Sequence, residues 1–110
     1  MTVARPRKTA AQRATARAAS ERAAERRYGL KPGDYQKLLA AQGGRCAICG
    51  CAPGRKRFAV DHDHKTLEVR GLLCLRCNHH LLGASHDDTP ILYAAIAYLT
   101  NPPARAALVD

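Results

Sequence analysis

The feature that most constrains this chain is one spacing used twice: Cys46-x-x-Cys49 and Cys74-x-x-Cys77, with residues 50–73 between them. A structural zinc ion needs four thiolate or imidazole ligands in a tetrahedron, and two such knuckles supply them. The 24 intervening residues exceed the span of a simple zinc ribbon, so a hairpin must fit inside the loop. One Cys-x-x-Cys alone would suit a redox pair, but two in a short chain favour metal. Cys51 is the spare, read as a small, partly exposed thiol. His79 and His80 lie close enough to compete for the metal, as weaker candidates than the four cysteines.

Composition says why such a staple is needed. A chain of 110 residues is one domain, and its single Phe, four Tyr and absent Trp leave little to bury. A core that small rarely holds without a metal or a disulfide. No apolar run approaches the roughly 18 residues of a membrane span, and no hydrophobic segment follows the charged N-terminus as in a secretory signal. A cytoplasmic location with no membrane partner is expected. In a reducing compartment paired cysteines bind metal or do chemistry.

A formal charge of +9 points to a polyanionic partner, foremost DNA. Residues 1–30 hold eight of the 18 Lys and Arg, against only Glu21 and Glu25. Residues 1–27 form a basic, Ala- and Arg-rich arm with high helix propensity and almost no apolar stripe, which predicts a helix when docked and disorder otherwise. The pairs Arg13, Arg17 and Arg22, Arg26, each at four-residue spacing, together with Arg27 and Arg70, are the candidate phosphate contacts. Nothing in the arm predicts base readout, and no aromatic residues alternate with its charges to stack single strands.

Further along, residues 31–44 read as a short helix with Pro32 and Asp34 at its start, Tyr35, Leu38 and Leu39 on one face, and Gly43 and Gly44 at its end. Residues 56–62 and 67–74 read as two strands joined by the turn 63–66. The segment from Cys74 to Leu82 should be helical, with Asn78 in its first turns and Gly83 ending it. Residues 89–103 give the clearest helix: Thr89 as N-cap, Pro90 at the first position, Ile91, Leu92, Ala95, Ile96 and Leu99 as the apolar face, Pro102 and Pro103 as the stop. The expected architecture is small α+β: a zinc-stapled ββα core over residues 28–103, flanked by helices and followed by a tail, residues 104–110.

Between the knuckles lies VDHDH, residues 60–64. Phosphodiester hydrolysis requires an activated water, a divalent cation against the phosphate oxygens, and neutralisation of developing charge. Asp61 and the side-chain carbonyl of Asn78 suit magnesium or manganese, and His62 takes a proton near neutral pH. His64 fits a phosphate-contacting or water-positioning role, whereas turn chemistry alone accounts for Asp63. Asp61 and His62 are neighbours on a strand, so both reach one site only where that strand ends or bends.

The runs YGLKPGDYQKLLAAQGGRCAICG (28–50), FAVDHDHKTLEVRGLLCLRCN (58–78) and ILYAAIAYL (91–99) together resemble the phage recombination endonuclease VII family, a branch of the HNH nucleases with the ββα-metal fold. The resemblance implies zinc on Cys46, Cys49, Cys74 and Cys77, magnesium on Asp61 and Asn78, His62 as general base and His64 as an accessory histidine. It also implies DNA cleavage leaving 5′-phosphates, action on branched DNA such as four-way junctions, a homodimer, and a phage or prophage gene in a bacterial host. Leu67 stands in the hairpin turn where relatives often carry Gly, implying a wider turn. No acidic residue follows directly after Asn78, so an extra carboxylate used by some members is not expected. Few residues follow Pro103, where relatives carry helices for dimerisation and junction grip, so a nuclease core is more strongly expected than junction specificity. The competing readings are a nicking or double-strand endonuclease on ordinary duplex, and a zinc-knuckle DNA-binding protein without catalysis. The joint presence of Asp61, His62 and Asn78 weighs against the last.

Overall fold

A computed structural model describes residues 4–108, so the first three residues of the expected arm and the last two of the expected tail lie outside the described residues. The chain divides into two compact units, Met1–Leu75 and Arg76–Asp110.

The first unit runs α1 (Ala10–Arg27), α2 (Asp34–Ala41), β1 (Ala59–His62) and β2 (Val69–Leu73). The basic arm is thus a regular helix. Thr9 starts it with a capping box: its Oγ1 accepts from the Gln12 amide at 3.1 Å, and Gln12 Oε1 accepts from the Thr9 amide at 2.8 Å. Polar groups dock the helix where an apolar stripe is missing. Glu25, almost fully buried, accepts from the Tyr35 amide at 2.9 Å, satisfying a first-turn N–H of α2 and setting a negative charge at that helix's N-terminus. Gln36 donates to Glu21, and Arg57 Nε reaches Ser20 Oγ at 2.9 Å.

The core is small, as composition demands: Tyr35, Phe58, Val60, Leu72, Leu73 and Ala24 are buried, with Cys46 beside them. Gln42, just past the end of α2, adds a polar brace. Its Nε2 donates to the Leu72 carbonyl and its Oε1 accepts from the Leu72 amide, both at 2.8 Å, so one side chain stands in for a neighbouring strand. Gly71 permits this approach, because a Cβ there would lie 3.1 Å from Gln42 Oε1.

β1 and β2 pair antiparallel, with Ala59 opposite Leu73, Val60 opposite Leu72 and Asp61 opposite Gly71. The register then shifts, and His62 faces Val69, leaving Arg70 as the extra residue of a β-bulge. In the turn, Asp63 accepts from the amides of Lys65 at 2.7 Å and Thr66 at 2.9 Å, which holds its carboxyl below the usual range and makes it a turn residue. Leu67 adopts φ +65°, the left-handed conformation that glycine takes most easily.

In the second unit, Arg76–Leu82 is a π-helical segment that runs directly into α3 (Gly83–Ser85). Gly83 therefore does not end the helix. It takes a helical conformation, and the reversal falls to His86 (φ 52°) and Asp87 (φ 58°). α4 (Thr89–Thr100) begins at Thr89, the expected cap, so the N-cap falls one residue earlier, on Asp88, with Pro90 in the first turn. None of its residues is buried, and the expected apolar face stays largely exposed: Ile91 at 52%, Ile96 at 60% and Leu99 at 73%. Past Pro103 the expected tail forms one turn, α5 (Ala104–Ala107). Among the described residues no helix is long and apolar enough to cross a membrane.

Candidate functional site

At the bulged end of the hairpin, Asp61 is buried and both its oxygens accept from one guanidinium: Arg70 Nε at 2.8 Å and Nη2 at 3.0 Å. The bulge explains the fork. The extra residue of β2 at the register shift is Arg70 itself, and Gly71 opposite Asp61 adds no side chain to the same face. A bidentate guanidinium is the geometry by which a carboxylate is held most firmly. Here it takes up both oxygens of Asp61, which as a carboxylate is of the donor type that hard dications take.

His62, the next residue, is half-buried, its ring 5.0 Å from that of Tyr28 and 4.9 Å from that of His64. Tyr28 follows α1 directly and carries the Arg27 guanidinium 5.6 Å from its ring centre. The imidazole thus has an aromatic ring and a second, exposed histidine beside it. Asp61, His62, His64 and Arg70 come together at one end of the hairpin, as the sequence grouped the first three. Asn78, half-buried, lies in the π-helical segment of the second unit, with the exposed His79 and His80 after it, their rings edge to face at 5.3 Å.

The sulfurs of Cys46, Cys49, Cys51 and Cys74 all lie within 4.8 Å of one another. The Cys49 and Cys74 sulfurs are 3.7 Å apart. Four thiolates about 2.3 Å from zinc stand roughly 3.8 Å apart along the edges of their tetrahedron, whereas a disulfide requires about 2.05 Å. The spacing thus fits a metal centre, and none of the five cysteines is in a disulfide. Burial pushes the Cys46 thiol up, but backbone hydrogen bonds from Cys74, Cys49 and Ile48 outweigh it and bring it down to about 6. The Cys51 amide lowers Cys49 as well, while the hydrogen bond to Cys49 pushes Cys51 up to about 12. Three of the four expected zinc ligands are therefore gathered in one cluster. Cys77 is buried in the second unit. Cys51, expected to stand apart as a bystander, belongs to the sulfur cluster, because the knuckle hydrogen bond from the Cys46 amide to the Cys51 carbonyl (3.0 Å) folds it back.

The expected phosphate contacts have different fates. Arg17 donates to the Gly54 carbonyl and, at 2.9 Å, to that of Arg55, and Arg13 Nη1 donates to the Lys8 carbonyl at 2.7 Å. Arg22, Arg26 and Arg27 are exposed on α1, and Arg70 serves Asp61. Tyr28, Gln42 and the cluster position of Cys51 escape sequence reasoning. Tyr28 lies 34 positions before His62 and carries no spacing signal.

The model of the recombination endonuclease VII family matches residues 21–101. The Gene 59 protein of Mycobacterium phage D29 is 53% identical over 78 residues, covering 70% of this chain and 47% of that protein. Its counterpart in Mycobacterium phage L5 is 51% identical over 78 residues, covering 70% and 48%. The chain spans about half the length of these curated relatives. No solved structure matches it significantly. The matched residues run from late α1 through both cysteine knuckles and the hairpin into α4, and on that match the chain belongs to the recombination endonuclease VII family.

Proposed function

We propose that this protein is a zinc-stabilised, metal-dependent DNA endonuclease of HNH type, with branched DNA such as four-way junctions as its preferred substrate. The observation that carries this reading is the bulged hairpin end, where a buried carboxylate forked by Arg70 adjoins an imidazole with Tyr28 and His64 beside it. Membership of a nuclease family supports it. The nuclease domain is residues 28–103, with the arm before it and the tail after it.

Asp61 and Asn78 are the residues to hold magnesium or manganese, which when bound would polarise the phosphate and stabilise the departing oxygen. His62 takes the proton of the attacking water, a role suited to an imidazole near neutral pH. Tyr28 stands beside its ring, 5.0 Å from centre to centre. His64 contacts the phosphate or positions the water. Arg70 neutralises Asp61 when no dication is present. Arg13, Arg22, Arg26 and Arg27 add sequence-independent backbone contacts.

The zinc ligands in this reading are Cys46, Cys49, Cys74 and Cys77, because two Cys-x-x-Cys knuckles form the regular tetrathiolate set. Cys51 rests against that set without binding the ion. Zinc counted in Cys51→Ser and Cys77→Ser decides it: one zinc per chain in the first and loss in the second are expected, and the reverse would make Cys51 the fourth ligand. For the activity, nicking of supercoiled plasmid with added magnesium is the test. Wild type should relax the plasmid and Asp61→Ala should not, and equal nicking by both would remove Asp61 from the site.

A further inference from the structure

A basic groove of about 820 Å³ runs between α1 and the loop that leads into β1. Two arginines form its walls. Arg17 crosses from α1 to the Gly54 and Arg55 carbonyls, and Arg57 crosses back to the Ser20 carbonyl at 3.2 Å and to Ser20 Oγ. With those two engaged in bracing, Lys8, Arg13, Arg55 and Lys56 remain around the opening, and Ala14, Ala59 and Leu75 contribute to an apolar lining. Lys8, Arg55 and Lys56 are exposed, and among the described residues no carboxylate pairs with them. No acidic or aromatic side chain lines the groove among the described residues.

Unpaired cations around a concave, low-dielectric wall focus positive potential into it. Small apolar lining residues accept a sugar, and the cations accept the phosphates to either side. The absence of aromatic and amide side chains leaves nothing to stack on or read a base. Ala59 lines the groove and His62 ends the same strand, three residues or roughly 10 Å further on. Lys8, Arg13 and Arg17 precede residue 21, where the family match begins, whereas Arg55 and Lys56 lie within it, so the groove straddles the edge of that match.

We propose that this groove binds the sugar-phosphate backbone of duplex DNA as a second, sequence-independent contact separate from the hairpin end. The proposal rests on the reading of the protein as a DNA enzyme. Its test is the triple variant K8Q/R55Q/K56Q of the full, zinc-loaded chain, which keeps every backbone acceptor of Arg13 and Arg17. Binding to a fluorescent 20-base-pair duplex is followed by anisotropy across a potassium chloride series without magnesium, and cleavage is read on the same samples after magnesium is added.

The slope of log K against log salt should become shallower by about 2 to 3, with zinc content and circular dichroism unchanged. The charge-matched K31Q/K37Q/R105Q variant, altered outside the groove, should keep most of the wild-type slope. Equal losses in both variants would reduce the effect to net charge and overturn the groove, as would unchanged binding by the groove variant. A polyglutamate peptide that binds as tightly as DNA, and only to the intact groove, would overturn DNA as its occupant. A wild type that cuts while the groove variant binds normally refutes the groove alone. A wild type that never cuts, alongside a groove variant that has lost binding, refutes the nuclease reading and leaves the groove standing.

Discussion

Single residues decide whether the hairpin end can do chemistry. Asp61 and His62 stand out in the sequence by chemical type and by the flanking knuckles; the bulge beside them does not. The bulge makes Arg70 the extra residue of β2, a fact of cross-strand register that no local pattern encodes. Arg70→Gln leaves a buried carboxylate short of its partner and should lower stability by about 1–3 kcal/mol. If a dication takes the place of the guanidinium, magnesium should restore part of that loss in a thermal melt, and a melt insensitive to magnesium would argue against a cation site at Asp61. Gln42→Ala should cost about 1–3 kcal/mol by orphaning the Leu72 amide, measurable by urea denaturation. Cys46 gives a pH dependence: its thiol is held at about 6, below the ordinary value of 9.0, so its favourable contribution is complete above 9 and is lost as pH falls through about 6. Zinc retention read with a chromogenic chelator should decrease as pH is lowered, because protons compete with the metal for the thiolates.

At the scale of elements, the hairpin, α2 and α4 followed from periodicity, turn chemistry and proline placement, while the fate of α1 did not. Its alanines and arginines predict a helix, but its docking rests on Arg17, Ser20, Glu21 and Glu25, polar partners that leave no hydrophobic period to read. The Gly83 stop failed for a related reason, since a glycine ends a helix only where the chain turns left-handed, and here His86 does so. Arg17→Ala combined with Arg57→Ala should release α1, seen as faster amide hydrogen exchange across residues 12–27 with the β1–β2 amides still protected. Unchanged exchange in α1 would mean that the arginine bridges do not hold it.

For the whole molecule, the repeated Cys-x-x-Cys spacing announced a metal-stapled fold with a small core, and the clustered sulfurs and few buried apolar side chains agree with it. What spacing could not reveal is that a third cysteine of the first knuckle region folds back into the cluster, because Cys51 reaches it through a loop hydrogen bond and not through a ligand repeat. If zinc supplies folding free energy outright, Cys74→Ser should lose both the metal and the cooperative melt. The central claim, that the hairpin end cuts DNA, is tested most directly by incubating wild type and His62→Ala with magnesium on matched four-way-junction and linear duplex DNA. The account predicts paired cuts in the junction by wild type, and none by His62→Ala despite equal zinc content and DNA binding. Cleavage by His62→Ala at the wild-type rate, or tight binding by wild type without any cut in either substrate, would contradict it.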